Sequence, residues 1–191
     1  MATLTSIKNN YLIDADAYDL GVGDNSNNIA LLAFKVATQD SLAIFNLIDG
    51  VSDEFEDETG IDTGNSTNES YDSSNDLYTQ TTNGDLTLIS TATTAQAAPA
   101  DARIVIFEQD DDVLTINTDI KAFASRDNGT TYTEVVLQDE GDYASGKQIL
   151  AGSVDISGQP SGTSMRYKIR GYNNSGDAKE FSLHGVCLTW G

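Results

Sequence analysis

Residues 102–109 read ARIVIFEQ, residues 113–137 read VLTINTDIKAFASRDNGTTYTEVVL, and residues 167–191 close the chain with YKIRGYNNSGDAKEFSLHGVCLTWG. These stretches belong to one series of strand and turn signals over the last ninety residues, Ala102–Gly191. Arg103–Phe107 and Val113–Ile116 predict a strand pair around EQDDD. Ile120–Ser125, Tyr132–Leu137 and Gln148–Val154 each carry β-branched and apolar residues between turn formers, the mark of short strands. Asn128-Gly129 supplies the positive backbone angles that tight hairpin turns demand, and Ser157–Gly162 marks a second turn with Pro160 and two glycines. Met165–Tyr172 alternates with period two. Met165, Tyr167 and Ile169 should face a core, and Arg166, Lys168 and Arg170 should face solvent or a partner. Phe181–Trp190 alternates as well, with Phe181, Leu183, Gly185 and Cys187 on one side and Ser182, His184, Val186 and Leu188 on the other. The pattern predicts an all-β antiparallel sandwich, jelly-roll-like or immunoglobulin-like.

Upstream the signals thin out. Ile29–Ala37 is a compact apolar run that suits a buried strand, and Ser41–Ile48 fits a strand or a short helix equally. Asp53–Asp76 then reads DEFEDETGIDTGNSTNESYDSSND, with six acids in Asp53–Asp62 alone, which predicts an exposed acidic arm whose Phe55 and Ile61 anchor it against a neighbour. Leu86–Ser90 is a strand candidate, and Thr91–Asp101 is a small-residue linker. The expected organisation is an amino-terminal, strand-containing assembly region over 1–100 with its acidic loop at 53–76, contributing to the same sandwich or standing beside it, and a carboxyl-terminal sandwich body over 101–191. A chain of 191 residues can bury one sizeable core of this kind.

The formal charge of −20, from 30 acids and 10 bases, opposes unaided binding to nucleic acid or to an anionic membrane, because both need a cationic field. No long apolar stretch suggests membrane insertion, and MATLTSIKNN lacks the cationic start and apolar run of a secretory signal. Cys187 is the single cysteine, so no intrachain disulfide can form, and its neighbours Val186 and Leu188 mark it as a buried thiol.

Glu108, Asp110, Asp111 and Asp112 form the densest carboxylate cluster in the well-patterned half and are the residues to consider for calcium. Asp14, Asp16 and Asp19 offer a second set of oxygens, but neither set has the spacing of a twelve-residue calcium loop. No cofactor follows. His184 is the only histidine and cannot belong to a multi-histidine zinc site. Thirty acids single out no catalytic pair for glycosidic cleavage. GxSxG, HExxH, P-loop and dinucleotide fingerprints are missing, so the sequence reads as noncatalytic. Arg166, Lys168 and Arg170 form a basic strand face in an acidic protein, suited to a salt-bridged surface or to an interface with the acidic arm of another copy. Tyr132, Tyr143 and Tyr172, with Asn128 and Asn173 beside them and Tyr71 and Tyr78 upstream, could stack on sugar rings or line an interface. Asn65, Asn68, Asn128 and Asn173 stand in glycosylation triplets that are read as compositional.

The runs SRDNGTTYTEVVL (Ser125–Leu137), DISGQPSG (Asp155–Gly162), MRYKI (Met165–Ile169) and LHGVCLTW (Leu183–Trp190), with NNIALLAFKVAT and the acidic segment upstream, resemble structural proteins of tailed bacteriophages, especially tail or fibre-associated proteins of marine phages and their prophages. The resemblance implies a noncatalytic virion structural protein, tail or fibre-associated or surface-decorating, that mediates assembly and host contact. It also implies a homo-oligomer with other virion proteins and a host surface glycan as partners, located in the virion after assembly in the host cytoplasm. The alternatives are a carbohydrate-binding module used in host recognition and a subunit of a self-polymerising extracellular filament.

Overall fold

The computed structural model describes Leu47 and residues 49–191, which belong to one compact unit. Ile29–Ala37, most of Ser41–Ile48, and the acids Asp14, Asp16 and Asp19 lie outside the described residues. The described strands are β1 (Asp49–Asp53), β2 (Glu69–Asp72), β3 (Leu77–Gln80), β4 (Thr87–Ile89), β5 (Thr93–Thr94), β6 (Asp101–Asp110), β7 (Ile120–Ser125), β8 (Thr133–Val135), β9 (Gln138–Ala144), β10 (Lys147–Asp155), β11 (Ser164–Gly171) and β12 (Phe181–Trp190). They form two antiparallel sheets. The larger runs β2-β3-β12-β6-β10-β9, with β1 pairing to the far half of β12, and the smaller runs β4-β11-β7-β8, with β5 beside β11. The fold is the all-β sandwich that the alternation predicts.

Period-two patterning explains which residues meet between the sheets. From the larger sheet come Ala102, Ile104 and Ile106 of β6, Leu150 of β10, and Phe181, Leu183, Val186, Leu188 and Trp190 of β12; from the smaller come Leu88, Ile120, Ala122, Ala124, Val135, Met165, Tyr167 and Ile169. Each large side chain taken fully from water contributes roughly 1.5–3 kcal/mol. In β11 the alternation is unbroken, with Met165, Tyr167 and Ile169 buried and Arg166, Lys168 and Arg170 half-buried on the outer side.

In β12 the phase changes. The partners step from Leu183↔Glu108 to Gly185↔Phe107, leaving His184 as the extra residue of a bulge. An inserted residue swaps the two faces beyond it, so Val186, Leu188 and Trp190 join the core. Cys187 is buried but turns to the outer side, unlike the expected grouping of Cys187 with Phe181 and Leu183.

Two other expectations change. Val113–Ile116 is irregular, and β6 pairs with β10 and β12 instead of forming a local hairpin there. The acidic stretch anchors in this chain's own core and needs no neighbour for that: Phe55 and Ile61 are buried, and the Phe55 ring meets Tyr78 edge-on at 5.0 Å. Glu56, Asp57 and Glu58 stay exposed while the backbone is knitted to the smaller sheet by Asp62 N to Ile89 O, Thr67 N to Thr87 O and Thr91 N to Gly60 O.

Arg126 fastens the segments that cross between the sheets. Its buried guanidinium donates to the carbonyl oxygens of Pro99 (2.6 Å), Ser157 (2.7 Å), Gln159 (2.5 Å) and Pro160 (3.2 Å). The linker before β6 and the turn after β10 are thereby tied to the end of β7.

Candidate functional site

The outer face of the smaller sheet gathers several residues that lie far apart in sequence. Register sets Lys168 between Phe123 of β7 and Ile89 of β4, and Arg170 between Lys121 and Thr87. The Lys168 ammonium lies 4.8 Å from the Phe123 ring centroid and 3.9 Å from that of Tyr132, while the Arg170 guanidinium carbon lies 4.5 Å from the Tyr172 ring. Such contacts let a cation approach an aromatic face electrostatically, most strongly where water is partly excluded. Burial, and then the charge of Arg170, lower the affinity of Lys168 for its proton.

The loops at either end of this platform are fixed. Asn128 and Gly129 both have positive φ, 63° and 79°. Ser125 Oγ accepts from Gly129 N at 2.9 Å, and Asp127 Oδ1 accepts from Thr131 N at 2.8 Å. Gly129 takes the positive φ without strain, and a Cβ there would come within 2.8 Å of the Tyr132 hydroxyl, which would have to shift. Burial pushes that hydroxyl's pKa up to about 12. At the other end Tyr172 N donates to Asp119 O at 2.7 Å, and Asn173 Nδ2 donates to Asp119 Oδ1 at 2.7 Å. Asn173 therefore steadies the loop that carries Tyr172.

Arg166 differs from its two neighbours. Its Nη1 donates to Asp62 Oδ2 at 2.6 Å and its Nε to Asn128 Oδ1 at 2.9 Å. That bond from Arg166, and then the one from Asn65, hold the Asp62 carboxyl below the usual carboxylate range. The pairing of the basic strand with the acidic stretch occurs within one chain.

The remaining sequence candidates lie elsewhere. Tyr143 stacks on Phe107 at 4.7 Å in the larger sheet, its buried hydroxyl without a hydrogen-bond partner among the described residues. Tyr71 donates to Phe55 O at 2.9 Å, and Tyr78 is in the core. The proposed calcium ligands are engaged within the fold: Asp110 accepts from Gln148, Asp111 from Ser182 and Asp112 from Glu180 N, and Glu108 is 1% exposed beside Asp110. Among the described residues no group of three or more His, Cys, Asp or Glu side chains could hold a metal ion. His184 Nε2 lies 3.3 Å from Gln109 Oε1, and burial first, then Lys147, lower its pKa to about 4.

Phe123 was missed by sequence reasoning, although the alternation in KAFAS places it outward beside Lys121. A cleft of about 320 Å3 between the end of β1, the Glu54–Gly60 loop and Ser90–Thr93 was also missed. Burial raises the pKa of Asp53 there.

No family model matches this chain, and no curated protein matches it. Solved structures do. The low-affinity xylan-binding module CBM86 from Roseburia intestinalis is 9% identical with a TM-score of 0.44, over 75% of this chain and 97% of that one. A family 29 carbohydrate-binding module is 7% identical with a TM-score of 0.44, over 74% and 90%. The C-terminal CBM6 of a marine laminarinase from Zobellia galactanivorans is 10% identical with a TM-score of 0.42, over 74% and 99%. These neighbours are carbohydrate-binding modules and not phage proteins, which corrects the likeness to tailed-phage tail and fibre proteins. The virion structural role, the homo-oligomeric and virion partners, and the virion location are withdrawn with it. The physical reason is that SRDNGTTYTEVVL, MRYKI and LHGVCLTW spell a turn and alternating strands, which an antiparallel sandwich needs whatever it binds. At these identities and scores the neighbours assign no ligand to this chain.

Proposed function

We propose that this protein is a carbohydrate-binding module that holds sugar on the outer face of its smaller sheet. The observation that carries the reading is the platform itself, with Tyr132 and Phe123 about Lys168 and Tyr172 beside Arg170 on one half-buried surface. Aromatic rings present flat apolar faces to the C–H faces of a pyranose, while polar groups around them serve its hydroxyls. Asn128 and the Lys168 and Arg170 head groups supply such partners at the rim. The loops that carry the two tyrosines are hydrogen-bonded in advance, which lowers the ordering cost of binding.

Affinity electrophoresis through gels containing soluble plant and algal polysaccharides tests the reading. At least one polymer should retard the wild type, and Tyr132→Ala or Tyr172→Ala should weaken that retardation about tenfold, the loss of roughly 1.4 kcal/mol. Unretarded migration in every polymer would contradict it.

A further inference from the structure

We infer that the sugar recognised on this face is a uronate, bound through its carboxylate by Arg170 and Lys168. This rests on the carbohydrate reading and narrows it to a ligand class. The chain has 30 acids for 10 bases, so a cation has many potential carboxylate partners. Arg103, Lys121, Arg166 and Lys179 take them, pairing with Glu140, Glu134, Asp62 and Asp119 at 3.4, 3.0, 2.6 and 3.2 Å. Arg126 is spent on backbone carbonyls, and Lys147, likewise without an ion pair among the described residues, stands near His184 in the larger sheet. Lys168 and Arg170 instead lie side by side on the outer face of β11, against aromatic rings, and neither forms an ion pair among the described residues.

Two residues apart on one strand face, they are separated by roughly 7 Å along the strand. Like charges at that spacing oppose each other, an arrangement that an incoming anion relieves. Arg170 Nε is buried and has no acceptor among the described residues, which leaves the outer Nη edge of the guanidinium to meet a ligand. A carboxylate matches the planar guanidinium fork in a way that a point charge does not. The tyrosine beside each cation supplies the surface for the pyranose ring that bears the carboxylate. The surrounding negative charge repels an anionic ligand at a distance, so the attraction is confined to a carboxylate brought into contact with Lys168 and Arg170.

Isothermal titration with polygalacturonate, in EDTA to prevent calcium gelation, is compared with the same polymer after carboxyl reduction, with neutral xylan and with a sulfated galactan. Binding to polygalacturonate is expected, at least tenfold weaker after carboxyl reduction and about tenfold weaker in Lys168→Gln and in Arg170→Gln. Melting temperatures near wild type show that these surface variants are folded. Equal affinity for the reduced polymer, still lost in Tyr172→Ala, overturns the uronate inference and leaves the carbohydrate reading standing. Binding to the sulfated galactan but not to polygalacturonate also overturns it. Failure of every polymer overturns both.

Discussion

Replacing Glu108 with glutamine should make the protein more stable relative to wild type as pH rises. Glu108 shares the inward parity of Ile104 and Ile106 on β6, is paired across the sheet with Gln148 and Leu183, and is 1% exposed. Burial first, and then the charge of Asp110, a hydrogen bond with it and the charge of Asp111, push its pKa up to about 9 from an ordinary 4.5. An acid raised in this way is protonated in both folded and unfolded states below about pH 4.5, so its contribution is fully present there. It is lost as pH rises towards 9, because the unfolded chain releases the proton first, at about 1.4 kcal/mol per pH unit. At pH 7 the accumulated cost is roughly 3 kcal/mol. Glu108→Gln abolishes the titration while leaving a neutral polar group whose own burial cost is independent of pH. Urea unfolding of both proteins at pH 5, 6, 7 and 8 measures the difference, in which the titrating acids remote from Glu108 cancel. The variant should gain on wild type by about 1.4 kcal/mol for each unit. A difference that stays flat across this range would refute the reasoning and show that Glu108 is ionised in the fold.

Arg126→Met removes four hydrogen bonds, two buried to the carbonyls of Pro99 and Gln159 and two part-buried to those of Ser157 and Pro160. It should cost about 3–4 kcal/mol and lower the melting temperature by roughly 10 °C in a scan followed by circular dichroism; a shift under about 3 °C would show that the carbonyls are satisfied without it. Gly152→Ala would place a Cβ 2.3 Å from Val136 O, a backbone atom that cannot swing aside, and should destabilise by about 2–3 kcal/mol in urea unfolding. Gly158→Ala, where nothing lies within 4 Å, should stay within about 0.5 kcal/mol of wild type.

The legible strands are those whose own side chains alternate against a core. β7 and β12 have the boundaries read from the sequence, Ile120–Ser125 and Phe181–Trp190, and β11 differs by one residue at each end. β9, QDEGDYA, was invisible because it is exposed at the sheet edge and carries no period-two signal. β1 and β2 were hidden in or beside the acidic stretch, where pairing to β12 and β3 supplies the order that DGVSD and ESYD do not encode alone. The bulge at His184 likewise leaves no mark in LHGVCLTW, since a single unpaired residue is specified by the partner strand. In the candidate site, Tyr132, Lys168, Arg170 and Tyr172 could each be named from the sequence. Their meeting on one face could not, because it depends on the β7–β11 register that sets Lys168 opposite Phe123.

The most direct test of the central claim is an amide chemical-shift titration of the 15N-labelled protein with short uronate and neutral oligosaccharides. Saturable shifts confined to Phe123, Asn128–Tyr132, Lys168–Tyr172 and their immediate neighbours are predicted, placing the sugar on the outer face of the smaller sheet. Shifts centred instead on the Asp53–Gly60 cleft or on the Phe107–Tyr143 stack, or no shifts with any oligosaccharide, would contradict it.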